Sequence, residues 1–128
     1  MRIAIILLAF LIAPSFGVAG ELPSTITQDA LLKKLKTGTA PLILDVRTPA
    51  EYQSGHVPQA VNIPHLQLPN RLSELGDVKD QEVVVYCERG PRAGFSESVL
   101  QNAGFNSVRH LEGDMWAWRN AGLPTERP

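Results

Sequence analysis

Thiols are nearly absent from this 128-residue sequence, in which Cys87 is the single cysteine. A lone cysteine excludes an internal disulfide framework, a paired-cysteine redox motif and an all-cysteine metal site within the chain. Charge of one sign is not in excess either: 12 Lys+Arg stand against 13 Asp+Glu, for a formal net charge of -1. That balance argues against a nucleic-acid binder, which carries a clustered basic surplus, and against a charged disordered tail. Ten prolines and ten glycines suit a loop-rich globular fold and fall far short of collagen-like composition. There is no internal repeat and no interdomain linker, and the length fits one domain.

A long apolar run occurs only at the start. Met1-Arg2 is followed by the uninterrupted stretch Ile3 to Ala13, then by the breakers Pro14, Ser15 and Gly17 and the small residues of Gly17-Val18-Ala19. A positive start, an apolar core and a small-residue exit are the layout of an export signal, here residues 1–19, or to Gly20. Residues 20–128 are then expected to form a single domain with a core from about 40 to about 125. The expected location is outside the cytoplasm, periplasmic in a bacterial setting, with no stable membrane association once the signal is removed. Retention as an N-terminal anchor is the alternative, although the uncharged stretch barely reaches the roughly 17 to 25 residues of a spanning helix.

The remainder alternates between two periodicities. Thr27 is a candidate N-cap for a helix through Leu31, Leu32 and Leu35, stopped at Gly38. Leu42 to Val46 is short and apolar, as a strand covered on both faces should be. Thr48-Pro49-Ala50-Glu51 reads as cap, first-position proline and first turn of a short helix ending at Gly55. Ala60 to Pro64 is a second strand candidate, and Leu66 to Leu75 a helix with Pro69 at or near its start. Glu82 to Tyr86 is the clearest strand, rich in β-branched residues. Ala93 to Ala103 predicts a helix stopped by Gly104, Val108 to Leu111 a strand, and Asp114 to Asn120 a last helical turn or two. Alternation of this kind predicts an α/β fold: a mainly parallel, about five-stranded sheet flanked by helices in three layers.

In such sheets, sites form at the carboxyl ends of the strands. Asp45 and Cys87 sit at two of those ends. The segment Cys87-Glu88-Arg89-Gly90-Pro91-Arg92-Ala93 places a thiol at the mouth of a loop that feeds a helix. Inward-turned backbone N–H groups and the helix N-terminus make an anion nest, Gly90 permits an unusual backbone, and Pro91 stiffens the turn. Arg89 and Arg92 add positive charge; all three features favour a thiolate nucleophile. Glu88 opposes them, weakly if its carboxylate points to solvent. The alternative is that Cys87 is a buried filler at a strand end. A nucleophilic role requires the sulfur to face the loop amides and to stay reachable from solvent.

At these residues the sequence resembles the rhodanese family of sulfurtransferases. Leu44-Asp45-Val46-Arg47, Glu51-Tyr52, Gly55-His56-Val57 and Ala60-Val61-Asn62-Ile63-Pro64 look like that family's N-terminal signature, and Tyr86 to Ala93 like its active loop. Ala103-Gly104-Phe105, Leu111-Glu112-Gly113 with Trp116, and Gly122-Leu123-Pro124 resemble its C-terminal segment, with Glu112 read as the departure from the usual Gly-Gly pair. Ordered matches over about 80 residues are specific; the loop alone would be less so. The resemblance implies a rhodanese-like domain that moves a sulfane sulfur from an anionic donor such as thiosulfate to a thiophilic acceptor, through a persulfide on Cys87. It further implies that main-chain donors from Glu88 to Ala93 hold the terminal sulfur, and that no metal or organic cofactor takes part. Related phosphatases and arsenate reductases carry one more residue between cysteine and arginine. Four lie between Cys87 and Arg92, making a cradle sized for one sulfur atom.

Other polar residues have plainer expected roles. Asp45 is expected to support the site, either pairing with a loop arginine or capping its own loop. Arg47, also placed among the supporting residues, is expected to pair with Glu51 four positions on. His56, His65 and His110 read as scaffold, and Asn62 as a turn anchor. Trp116 and Trp118 are expected to pack the last helix, with one of them available to the pocket rim. A sulfur-carrier or binding module with little turnover is the second functional class. Phosphatase-type chemistry is a third.

Overall fold

The computed structural model describes residues 24–128; the expected export signal lies outside them. The β-branched run gives the central strand β4, Val83–Tyr86, buried throughout. Side chains alternate across a strand, and here the alternation separates two cores. Val83 and Val85, with Cys87 just beyond, join Leu44, Val46, Ile63, Leu68, Ala93 and Leu100 on one face. Val84 and Tyr86 join Ile26, Leu31, Ile43, Leu111, Met115 and Trp118 on the other. Cys87 and the Asp45–Tyr86 pair therefore face opposite sides of the sheet.

In chain order the elements are β1 (Thr25–Ile26), α1 (Gln28–Lys36), β2 (Leu42–Asp45), α2 (Pro49–Gln53), β3 (Val61–Asn62), α3 (Leu68–Arg71), β4, α4 (Pro91–Asn102), β5 (Val108–Leu111) and α5 (Asp114–Asn120). The sheet order is β1-β5-β4-β2-β3, and every pairing is parallel. In the central register Asp45 lies opposite Tyr86. Short parallel strands covered on both faces explain why they read as apolar runs. Among the described residues no helix is long and apolar enough to cross a membrane.

Three boundaries differ from expectation. The sheet gains β1, whose two residues carry too little pattern to be read as a strand. The helix expected over 66–75 starts at Leu68, with Pro69 in its first turn, and tightens after Arg71 into a 3-10 turn, Leu72–Leu75. The long helix begins at Pro91 rather than Ala93. Proline lacks the N–H that a first helical position leaves unpaired, so Pro91 opens α4 instead of delaying it. Thr27 caps α1 as expected, accepting from the Ala30 N–H at 3.1 Å.

Candidate active site

Where β4 ends, Cys87 starts a turn that closes at Pro91. Gly90 takes φ +120°, a conformation that L side chains rarely adopt. A Cβ added there would meet the nearest atom at an ordinary 3.5 Å, so the backbone angle, not lack of space, calls for glycine. The turn aims the Gly90 N–H at Cys87 Sγ, 3.0 Å away. The sulfur thus lies at the amino end of the 12-residue α4, where unpaired N–H groups and the helix dipole favour negative charge. Pro91, within the expected cradle, has no N–H and contributes shape alone. Ala93 is fully buried beneath the loop.

The thiol is tightly enclosed: Cys87 retains only 1% exposure. It is far less open than a free nucleophile at a pocket mouth. The back of the loop is pinned by α5. Cys87 C=O accepts from the Met115 N–H at 3.0 Å, and Glu88 C=O from the Trp116 N–H at 3.1 Å. The Cys87 N–H donates to Asp114 Oδ1 at 3.0 Å.

The two loop arginines have different fates. Arg92 grips Glu51 with both terminal nitrogens, at 2.7 and 3.0 Å. That bond is the main reason the Glu51 carboxyl is drawn down to about 2. Glu51 at the same time completes the capping box with Thr48 at the start of α2. Arg89 makes no ion pair among the described residues; its guanidinium lies 5.2 Å from the ring centre of Trp116, which is half exposed. Arg89 is therefore the loop cation left free to meet an anion, while the charge of Arg92 is already matched.

The expected Arg47–Glu51 pair does not form. Thr48 caps α2 and leaves Arg47 outside the helix, so the four-residue helical spacing does not apply to it. Arg47, 1% exposed, turns to Asp45: Nη2 to Oδ2 at 2.7 Å and Nε to both carboxylate oxygens at 3.1 Å. It also donates to Gly55 C=O at 2.8 Å and reaches Glu88 at 3.4 Å. Burial is the largest single influence and disfavours the Arg47 charge, but the bond and charge of Asp45, with Tyr86 and Glu88, together outweigh it and raise the pKa. Asp45 in turn binds no loop arginine. It accepts from the Arg47 N–H and from the Tyr86 hydroxyl at 2.7 Å. Burial first, and Asp45 second, push the Tyr86 hydroxyl far up, so it stays a donor. Asn62 completes the hub by donating to Asp45 and Arg47 C=O, both at 3.0 Å.

Glu88 does not point freely to solvent. Arg119 holds it at 2.8 and 3.1 Å, and this pair is the main cause of its lowered pKa. Its negative charge is thereby compensated beside the loop. Trp118 is fully buried, leaving Trp116 as the rim tryptophan.

A charged cluster behind the loop was not read from the sequence. His110, at the end of β5, sits between Asp114, with Nε2 at 2.9 Å from both oxygens, and Glu97, 3.1 Å from Nδ1. The bond to Asp114, then that to Glu97, raises the His110 pKa to about 10, so the ring is an imidazolium at neutral pH. Gly113 and Asp114 have consecutive positive φ values of 78° and 54°. Glycine adopts this conformation at least cost, and only the first of the two positions is a glycine. His56 stacks on Tyr52 with ring centres 3.7 Å apart, and His65 meets Phe95 edge to face. Among the described residues no group of three or more His, Cys, Asp or Glu side chains is arranged to hold a metal ion.

The chain is similar to several known proteins. A sulfurtransferase of Allochromatium vinosum is 36% identical over 103 residues, covering 80% of this chain and 94% of that protein. An HTH-type transcriptional regulator of Mycobacterium tuberculosis is 39% identical over 112 residues, which is 85% of this chain but only 47% of the regulator. The crystal structure of a rhodanese-related protein from Thermoplasma volcanium superposes with a TM-score of 0.70 at 28% identity, over 81% of this chain and 98% of that one. The model of the rhodanese-like domain matches residues 27–121, from the cap of α1 to the end of α5. With the cysteine turn, the parallel sheet and that match in agreement, this chain belongs to the rhodanese-like domain family.

Proposed function

We propose that this protein is a thiosulfate-type sulfurtransferase that works through a persulfide on Cys87. The observation that carries this reading is the Gly90 N–H aimed at Cys87 Sγ from the amino end of α4. In the first step the Cys87 thiolate attacks the outer sulfur of thiosulfate. A sulfur–sulfur bond forms to Sγ, the bond to the sulfonate sulfur breaks, and that electron pair leaves with sulfite. In the second step a thiophilic acceptor, cyanide in an assay, attacks the outer persulfide sulfur and leaves as thiocyanate, restoring the thiolate. One transfer is divided into two displacements, each with the loop amides and helix dipole facing the negative sulfur. Arg89 supplies the unmatched positive charge that draws in the anionic donor. Neither step calls for a strong general base, in keeping with Asp45 serving Arg47 and Tyr86 rather than the sulfur.

The expected export signal assigns this chemistry to a compartment outside the cytoplasm. The test is intact mass after incubation with thiosulfate. Wild type gains one sulfur atom, Cys87→Ser gains none, and cyanide then releases thiocyanate. No gain by wild type would overturn the reading. The near-complete enclosure of Cys87 favours one further reading, a sulfur-delivery module with low turnover. Sulfur gain without thiocyanate release identifies it.

A further inference from the structure

Asp114 occupies a backbone conformation that costs an L-residue energy and is nearly free for glycine (φ +54°), and it does so while 4% exposed. What the side chain gains there is specific. At Cys87 the strand pairing of β4 has ended, and the Cys87 N–H would be left buried without a backbone partner. Asp114 Oδ1 takes that N–H at 3.0 Å. Asp114 Oδ2 lies under Gly90, 3.5 Å from where its Cβ would stand, and His110 lies beside it at 3.9 Å. The same carboxylate receives His110 Nε2, whose other ring nitrogen is tied to Glu97 on α4. The two ends of the sulfur-bearing turn, Cys87 and Gly90, therefore rest on one carboxylate, and one imidazolium matches its charge.

We propose that Asp114 and His110 are positioning residues for sulfur transfer: they fix the Cys87–Gly90 turn and keep a compensated charge beneath the anionic sulfur. This inference rests on the sulfurtransferase reading for its purpose, not for its geometry. From the elements packed around it, His110 faces Asp114 of α5 and Glu97 of α4. On the β1 side, Ser24 C=O accepts the His110 N–H, and Ser24 and Thr25 bring no charge. Held between Asp114 and Glu97, His110 keeps its proton across the neutral range.

The experiment uses wild type, Asp114→Asn, Asp114→Gly and His110→Gln. It follows His110 by NMR titration, Cys87 alkylation by iodoacetamide, and thiosulfate loading, each against pH. Asparagine tolerates the left-handed backbone and still offers an oxygen to the Cys87 N–H, but carries no charge. In Asp114→Asn the His110 titration should drop by more than one pH unit, and loading should acquire a step at that lower pH that wild type lacks. Glycine relaxes the backbone but offers no acceptor, so Asp114→Gly should load about tenfold or more slowly at every pH, the scale of one lost bond to a charged group. Adding His110→Gln to Asp114→Asn should remove the step. The inference is overturned if the variants alkylate and load like wild type with unchanged pH profiles, or if His110 in Asp114→Asn still titrates near 10. Wild type that alkylates but takes no sulfur would sink the functional reading, while the alkylation profiles still decide this one.

Discussion

Glu51 at the start of α2 and Arg92 in the first turn of α4 are joined fork to fork across 41 residues of sequence, Nη1 to Oε1 at 2.7 Å and Nη2 to Oε2 at 3.0 Å. The bond ties the helix that carries the cysteine loop to the turn after β2. Both side chains are about one-third exposed, so solvent screens the pair. A double-mutant cycle with Glu51→Gln and Arg92→Ala in urea at pH 7 should give a coupling of roughly 0.2–1 kcal/mol. The Glu51 carboxyl is drawn down from 4.5 to about 2, so its contribution is present above 4.5 and disappears as pH falls toward 2. Glu51→Gln should therefore lose less stability than wild type between those two values. Parallel acid curves would contradict this.

Arg89 and Arg92 should separate kinetically. Arg89 is held over Trp116 by its face alone, with no carboxylate to satisfy among the described residues. Arg89→Ala should raise the KM for thiosulfate about tenfold, the scale of one charged hydrogen bond, and leave the melting temperature nearly unchanged. Arg92→Ala should lower kcat, because the turn loses its anchor on Glu51. Steady-state kinetics with thiosulfate and cyanide distinguish the two, and equal effects on KM would refute the division.

Arg47 should matter to the fold more than to the chemistry. Arg47→Met leaves Asp45 buried beside Tyr86 without its cation, at a cost of roughly 3–5 kcal/mol. Adding Asp45→Asn to that variant should recover a large part of the loss. Urea unfolding of the single and double variants measures both. A loss below about 1 kcal/mol in Arg47→Met would show that the hub is not held this way.

Alkaline stability should report His110. The folded pKa is raised from 6.5 to about 10, so the native state binds the extra proton between those values. The stabilisation is complete below 6.5 and is lost as pH rises through about 10. His110→Gln should flatten this decline in thermal melts recorded across the range. An unchanged slope would mean that other groups govern it.

Much of this site was legible where a residue's role is set by its immediate neighbours. The run Val83–Tyr86 announces a buried strand, and Gly90-Pro91 announces a turn into a helix, so the thiol between them is placed by local chemistry. Roles set by the far side of the sheet were not legible. Arg47 and Glu51 have helical spacing, yet the Thr48 cap removes Arg47 from the helix and frees Glu51 for a partner on α4. His110 and Asp114 are also four apart, but they meet across a turn between a strand and a helix. β1 was missed because a two-residue strand has no period; its pairing with β5 is what makes it one.

The order in which the loop's anchors occur along the chain has a consequence for biosynthesis. Cys87 leaves the ribosome well before Asp114, Met115 and Trp116, whose atoms take up the hydrogen bonds of its backbone. Until α5 emerges, a nascent chain presents its only thiol on an unsupported turn, open to oxidants and to the thiols of other chains. A chain truncated before residue 114 lacks every one of these partners, and the closing helix is what supplies them.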